Sequence, residues 1–398
     1  MNPILIAGAG PVGCTAALYL AKRDIPVILL EAQDELPQDL RASTFHPPTL
    51  DMLAELDLVG DMINDGLIVH DYQYRDRKTN EVAKFDLSVL EGETKHPYRL
   101  QCEQYKMTRI VVERLKSFKN AEVRMGTKIK GFRETSEGVQ ALVFDGKKES
   151  LINASYLIGC DGANSVVRQA GGIKFDGLTY PELFLVASTP YKFDEFFDGL
   201  SPVNYVSDPD EWCVILETAG LWRVLIPTPL DGDQDLFLSD KFIQDRMHRL
   251  AKNDKDFDIA HRTLYHVHQR VAETYRVRDR VLIAGDAAHV NNPLGGMGMN
   301  GGVQDAYNLA EKLVQIIKEG QDRHELLDLY NRQRRGICVD FIQKHTKRNK
   351  ALMESTDTDV QRKRQEKFMR TSADPELAKA FVMETSMINC VRESYEIR

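Results

Sequence analysis

Three short stretches carry residue types and spacings that could do chemistry: GAGPVG at 8–13, CDGANSVVR at 160–168 and GDAAHVNNPLGGMGMNGG at 285–302. In the first, Gly8, Gly10 and Gly13 stand in the GxGxxG spacing. Gly8 permits a tight turn, Gly10 lets backbone approach a pyrophosphate, and Gly13 lets a helix pack on a strand. The N-terminus of the following helix favours phosphate charge. Glu31, 18 residues after Gly13, can accept hydrogen bonds from an adenosine ribose. The chemistry is dinucleotide binding, with NAD and FAD both open.

The late stretch reads differently. A flat, wide ring needs backbone to approach it closely, and glycine permits this. Asn300 is expected to begin a helix whose N–H groups and dipole favour negative charge nearby. His46, on a loop after Arg41, offers a neutral imidazole suited to proton abstraction near neutral pH. The alternative is a histidine that only caps the helix after Pro47-Pro48. His266 and His268 form an HxH with no partnering cluster, so no metal site is expected. No GxSxG elbow is present, and the reaction is left to a cofactor.

These residues need elements to hold them. Ile4–Ala7 reads as a strand, Val12–Lys22 as a helix and Pro26–Leu30 as a second strand. Residues 66–100 alternate like half-exposed strands, Gln104–Phe118 reads as a helix, and 121–154 as hairpins turning at Glu137-Gly138 and Asp145-Gly146. A strand precedes the Asp161-Gly162 pair, and residues 175–270 are strand-rich with a helix at 240–252. Residues 280–286 read as a strand and 300–319 and 322–345 as helices. The remainder is charged and helical, with RKRQEK (362–367) as a solvated face. The fold class is α/β: a discontinuous Rossmann-like domain over 1–70, 101–174 and 271–345, an inserted mixed β-sheet substrate domain over 71–100 and 175–270, and a C-terminal helical segment over 346–398.

With 398 residues the chain can bury a sizeable core. A net charge of −8 on an evenly mixed surface argues against nucleic acid or an anionic membrane as partner. Six scattered cysteines without a CxxC pair suggest reduced, buried thiols. Pro3–Ala21 is uncharged but lacks a basic n-region, so it is not read as a signal peptide. No stretch is long and apolar enough to span a bilayer, and the expected location is cytoplasmic.

Taken together, GxGxxG, CDGANSVVR and AGDAAHVNNPLGGMGMNGG, in that order and each after an apolar strand, resemble the p-hydroxybenzoate hydroxylase-like (group A) FAD-dependent aromatic monooxygenases over roughly residues 1–345. The resemblance implies FAD as cofactor and NADH or NADPH as electron donor. It implies hydroxylation of a small phenolic or N-heteroaromatic ring with O2, through a flavin C4a-hydroperoxide. It assigns Gly8, Gly10, Gly13 and Glu31 to the ADP portion, Arg41 to the flavin nucleotide, and Gln104 to the pyrophosphate or ribityl chain. Asp161, Gly162 and Arg168 match a motif tied to FAD and pyridine nucleotide, and Asp286 an aspartate that binds ribityl hydroxyls. Pro293, Gly295, Gly296, Gly298, Met299 and Asn300 match the loop along the isoalloxazine. His46 is the candidate base, and Tyr205, Arg223 and Pro293 are candidate substrate contacts; a surface arginine and a core tyrosine are the blander readings of the middle two. A homodimer is left open. Rival readings are a hydroxylase of a larger quinone or polyketide, a non-catalytic FAD-binding interaction protein, and a flavin-dependent halogenase, whose paired-tryptophan spacing is missing around Trp212.

Overall fold

The computed structural model describes residues 1–38, 40, 42–229 and 231–398; the expectation for Arg41 falls outside the described residues. Ile4–Ala7 is a strand of four fully buried apolar residues, as expected for a strand covered on both faces. It lies at the centre of a five-stranded parallel sheet in the order Val281–Ile283, Tyr156–Gly159, Ile4–Ala7, Val27–Leu30, Ala121–Arg124. The Rossmann-like expectation is met. Residues 128–154 form an antiparallel meander beside it, with Gly138 and Gly146 in its turns.

The early and late glycine stretches meet in space. A Cβ on Gly13 would lie 1.9 Å from the Gly8 carbonyl oxygen, so only glycine lets the helix Pro11–Ala21 sit this close to the turn. Gly285 and Gly302 both pack on Val12: added Cβ atoms would come within 2.6 and 2.7 Å of its Cγ2. The long helix Met297–Lys318 therefore lies against Pro11–Ala21.

The second sheet has eight strands, in the order His289–Val290, His261–Ala272, Phe175–Thr189, Leu221–Pro229, Cys213–Thr218, Val203–Ser207, Asp71–Asp76, Val82–Asp86. All neighbours are antiparallel except Val203–Ser207 with Asp71–Asp76. One face packs Trp222, Val224 and Ile226 on the helix Asp240–Leu250. The other packs Tyr72, Phe85 and Tyr205 on Phe368 and Val382 of the C-terminal helices. A small three-stranded sheet, Thr44–Phe45, Arg99–Gln101, Leu67–Val69, completes the strands.

Several boundaries differ from the sequence reading. The strand expected at 280–286 ends at Ile283, because Gly285 turns the chain left-handed at φ 62° into a single 3₁₀ turn. The helix expected from Asn300 begins at Met297, after Gly296 at φ 65°; Asn300 sits in its first turn. The helix expected to end at 345 runs to Glu354, with a π-helical turn at Cys338–Ile342. Within the basic run, Arg364 and Gln365 are buried rather than solvated, and Gln365 Nε2 donates to the Glu81 carbonyl at 3.1 Å.

Candidate active site

The outer half of the site is backbone and charge. Pro11–Ala21 begins at Gly10 without a side-chain cap, and Met297–Lys318 begins at Gly296 in the same way. Both leave first-turn N–H groups and the positive end of a helix dipole available. Among the described residues nothing lies within 4 Å of a Cβ placed on Gly10, whereas Gly8 and Gly13 are tightly packed. One glycine is open where backbone should approach a ligand; its neighbours are closed where the fold needs contact. Asp286 is exposed while Gly285 and Ala287 on either side are buried. An open glycine, two uncapped helix starts and an outward carboxylate fit a dinucleotide with a flavin.

The other assigned residues are largely occupied with holding these pieces together. Glu31 accepts from the Ala9 N–H through Oε2 at 3.0 Å and from the Gln33 N–H through Oε1 at 3.0 Å. Asp161 accepts from Ser165 Oγ (2.5 Å) and the Val166 N–H (2.7 Å), starting the helix Val166–Ala170. Arg168 is buried and donates to the Ala287 carbonyl at 2.8 Å and the Ala163 carbonyl at 2.7 Å, with its guanidinium over Phe175. The second motif is thus tied to the third through Arg168. Gln104 opens the helix Gln104–Leu115 and donates its N–H to the Ala42 carbonyl at 3.0 Å. Pro293 accepts from the Gly296 N–H at 3.0 Å, closing the loop before the second helix. Gly298 lies near Asn291, and Met299 packs on the main core.

Beneath that loop lies a buried polar cluster. Asn300 clamps it: Oδ1 accepts from the His46 N–H (2.8 Å), and Nδ2 donates to the Thr44 and Gly296 carbonyls (2.8 and 2.7 Å). His46 is at the start of the helix Pro47–Ala54 but does not cap it with its side chain. Its Nε2 lies 2.8 Å from the Gly295 carbonyl. A carbonyl only accepts, so Nε2 carries the proton and Nδ1 presents a bare lone pair. That Nδ1 is buried and has no partner among the described residues. Burial, then the charge of Arg99, holds the imidazole well below the usual histidine range, and it is neutral at pH 7.

Tyr205 faces the same place. Burial raises its phenol, while the Arg99 guanidinium and the Gly295 N–H pull it back down. Its ring stacks on Tyr74 with centroids 4.9 Å apart, and Tyr74 stacks on Phe368 at 4.1 Å. Sheet and C-terminal helices together make an aromatic wall. Trp212 belongs to it as a core residue, edge-on to Phe184.

Arg223 is held by partners of its own. It is buried, with Nη2 3.0 Å from Glu103 Oε1 and Nη1 donating to the Leu40 carbonyl at 2.5 Å. Glu103 also pairs with Lys106 at 2.7 Å. These contacts join the large sheet to the loop before Gln104. Sequence reading did not single out Arg99, Gln101, His345 or Ser386, each buried beside His46 or Arg99. A charged residue inside the short run YRLQ was the available signal for Arg99. His266 and His268 lie side by side, ring centroids 6.2 Å apart. Among the described residues no group of three or more His, Cys, Asp or Glu is placed to hold a metal ion, and no helix is long and apolar enough to cross a membrane.

Fold and site together define a single-Rossmann flavoprotein with a sheet-walled polar cluster beneath its flavin loop. Comparison with known proteins agrees. Residues 1–345 match the FAD binding domain family. The chain is 32% identical to para-nitrophenol 4-monooxygenase of Pseudomonas sp. (strain WBC-3), across 98% of this chain and 96% of that one. It is 32% identical to 6-hydroxy-3-succinoylpyridine 3-monooxygenase HspB of Pseudomonas putida (strain DSM 28022 / S16), across 85% and 86%. The crystal structure of p-nitrophenol 4-monooxygenase PnpA from Pseudomonas putida DLL-E4 superposes with a TM-score of 0.91 at 31% identity, covering 98% of both chains. The chain belongs to the p-hydroxybenzoate hydroxylase-like FAD-dependent aromatic monooxygenases. FAD is its cofactor and NAD(P)H its reductant.

Proposed function

We propose that the protein hydroxylates a small phenolic or N-heteroaromatic ring bound against the His46–Tyr205 cluster, with His46 Nδ1 taking the proton from the ring hydroxyl. One observation carries this: a neutral imidazole with a bare, buried Nδ1 beneath the flavin loop. The relatives' phenol and hydroxypyridine substrates support the ring class. Bound FAD supplies hydride acceptance from NAD(P)H and activation of O2.

The chain's own residues do the rest. The Gly295 carbonyl fixes the His46 tautomer, so the accepting nitrogen is the unpartnered one. Removing the hydroxyl proton makes the ring electron-rich, which electrophilic oxygen transfer requires. Tyr205 orients the ring hydroxyl, and Tyr74, Phe368 and Phe381 exclude water around it. Gly10, Asp286 and the first turn of Met297–Lys318 hold FAD. Glu31, Asp161, Arg168, Gln104 and Asn300 hold the loops that shape its site. In this reading the FAD-binding unit is residues 1–70, 101–174 and 271–345, with residues 71–100 and 175–270 as the substrate unit. Six buried free cysteines fit a cytoplasmic enzyme.

The test is NAD(P)H oxidation across hydroxybenzoates, nitrophenols and hydroxypyridines, with product mass measured. A gain of one oxygen, or its exchange for a ring substituent, supports the reading. A yellow protein indifferent to every ring would refute it.

A further inference from the structure

Arg99 is 2% exposed, and no carboxylate among the described residues pairs with it. It stands in the strand Arg99–Gln101, which pairs with Thr44–Phe45, one residue before His46. Its contacts are with neutral groups: Nη2 donates to the Thr385 carbonyl at 3.4 Å, the guanidinium lies 4.2 Å from the centre of the Tyr72 ring, and it hydrogen-bonds the Tyr205 phenol. Its charge acts on His46, His345, Tyr72 and Tyr205. Arg99 Nε has no partner, and neither do His46 Nδ1, Gln101 Nε2, His345 Nε2 or Ser386 Oγ around it. Glu384, beside Thr385, is engaged by His345 Nδ1 at 3.5 Å and Arg348 Nη2 at 2.9 Å. A buried cation without a counter-ion is costly, and buried polar atoms normally find partners. Unpartnered atoms gathered around such a cation describe a site for an anion.

We propose that Arg99 is the residue that holds the ring oxygen of the bound substrate once the phenol is ionised, near the bare nitrogen of His46. This rests on the hydroxylase reading above. The phenol O–H bond breaks, its proton passes to His46 Nδ1, and the electron pair stays on the oxygen that Arg99 faces. No oxidant or reductant is consumed in that step. The resulting imidazolium keeps its Nε2–H on Gly295 and directs its new N–H to the phenolate. Arg99 Nε supplies a further donor, so the negative oxygen replaces the missing counter-ion. An arene without an ionisable hydroxyl would leave every one of these groups as it stands in the free protein.

The experiment uses FAD-loaded protein without NAD(P)H and reads the visible band of 4-nitrophenolate. 4-Nitrophenol is titrated with pH while bound to wild type, Arg99→Met and Arg99→Lys, and 4-nitroanisole serves as the ligand that cannot ionise. The expected result is that wild type ionises the bound dye about one pH unit or more below the free dye. Arg99→Met should abolish that shift and weaken 4-nitrophenol binding about tenfold or more. Arg99→Lys should keep the shift, and 4-nitroanisole should bind wild type and Arg99→Met alike. A bound dye that titrates at the same pH in wild type and Arg99→Met overturns the proposal. So does a wild-type shift of zero or upward, which decides the matter even where Arg99→Met fails to hold FAD. Turnover of phenols with an unshifted dye would sink only the role of Arg99. A protein that neither binds nor turns over any phenol or hydroxypyridine would sink the hydroxylase reading with it.

Discussion

Two buried histidines, His46 and His289, lie on either side of the loop that precedes the second helix, and the fold treats them in opposite ways. His289 Nε2 is 2.9 Å from Asp305 Oδ2, and Asp305 Oδ1 is 2.8 Å from Arg334 Nε. Asp305 also accepts from the Gly285 N–H. Burial would neutralise His289, but Cys338 and the Asp305 carboxylate outweigh it and hold the imidazole well above its usual range. His46 has no carboxylate partner among the described residues and is neutral. Its neighbouring cation, Arg99, lacks what Arg334 has. One cluster pairs its charges and carries the glycine turn; the other holds a cation with no carboxylate partner among the described residues. The difference separates a structural charge network from a site awaiting a ligand.

The largest effect is expected where the paired cluster is broken. Asp305→Asn leaves Arg334 buried without its charge partner and should cost about 3–5 kcal/mol of stability, together with FAD retention, since one oxygen then has to serve Gly285, His289 and Arg334. Urea unfolding of the FAD-loaded protein checks it. A loss below about 1 kcal/mol, the scale of an exposed pair, would mean that the two clusters do not differ in this way.

Next comes the His46 cluster. His46→Ala should leave the protein yellow, because the His46 N–H that Asn300 holds is backbone. Its kcat should fall about 10²–10⁴-fold, the usual scale for a lost acid–base group. Unchanged turnover at saturating substrate would remove His46 from the chemistry and leave it as a loop support.

A smaller effect separates the histidines by pH. His46 and His345 are held below the ordinary histidine range, in both cases mainly by burial. Below a pH of about 6.5 the unfolded chain takes up protons that the folded chain refuses, so stability falls, by at most about 1.4 kcal/mol per pH unit for each histidine. His289 works in the reverse sense: its contribution is complete below the unfolded value and is lost as pH rises through the raised folded one. The wild-type urea midpoint should therefore drop from pH 7 to pH 5, and His46→Gln should flatten that drop. An equally steep drop in His46→Gln would show that His46 is not a neutral group in the fold.

Much of this was legible in the sequence, for a physical reason. Backbone that must approach a ligand or a neighbouring element demands glycine at fixed offsets: Gly10 is open, while Gly8, Gly13 and Gly285 leave no room for a Cβ. The cluster was not legible, because residues near 46, 99, 205, 295, 345 and 385 converge only through sheet order and helix packing. Arg99 and Arg223 illustrate the limit. Each is an arginine in an apolar strand, and sequence cannot say which one has a glutamate opposite it. Asp161 and Arg168 show another: motif residues can be recognised while their side chains do structural work, capping a helix and tying two turns together. The C-terminal helices read only as charged, yet they supply Phe368, Thr385 and Ser386 to the site.

The smallest effect bears most directly on the comparison. Removing Arg334 would strand Asp305, but removing Arg99 strands no described carboxylate. Its losses are one long hydrogen bond to Thr385, the bond to the Tyr205 phenol and the contact with the Tyr72 ring, worth about 2–3 kcal/mol together. Relief from burying an uncompensated charge offsets them. Arg99→Met should therefore unfold in urea within about 1 kcal/mol of wild type in the absence of phenol. Wild type should gain stability on adding 4-nitrophenol, following the ordinary linkage of ligand to fold, and Arg99→Met should not. A variant destabilised as severely as Asp305→Asn would show that Arg99 is a structural cation like Arg334. Near-equality without ligand, and divergence with it, is the signature of a charge kept in the fold for a partner that arrives later.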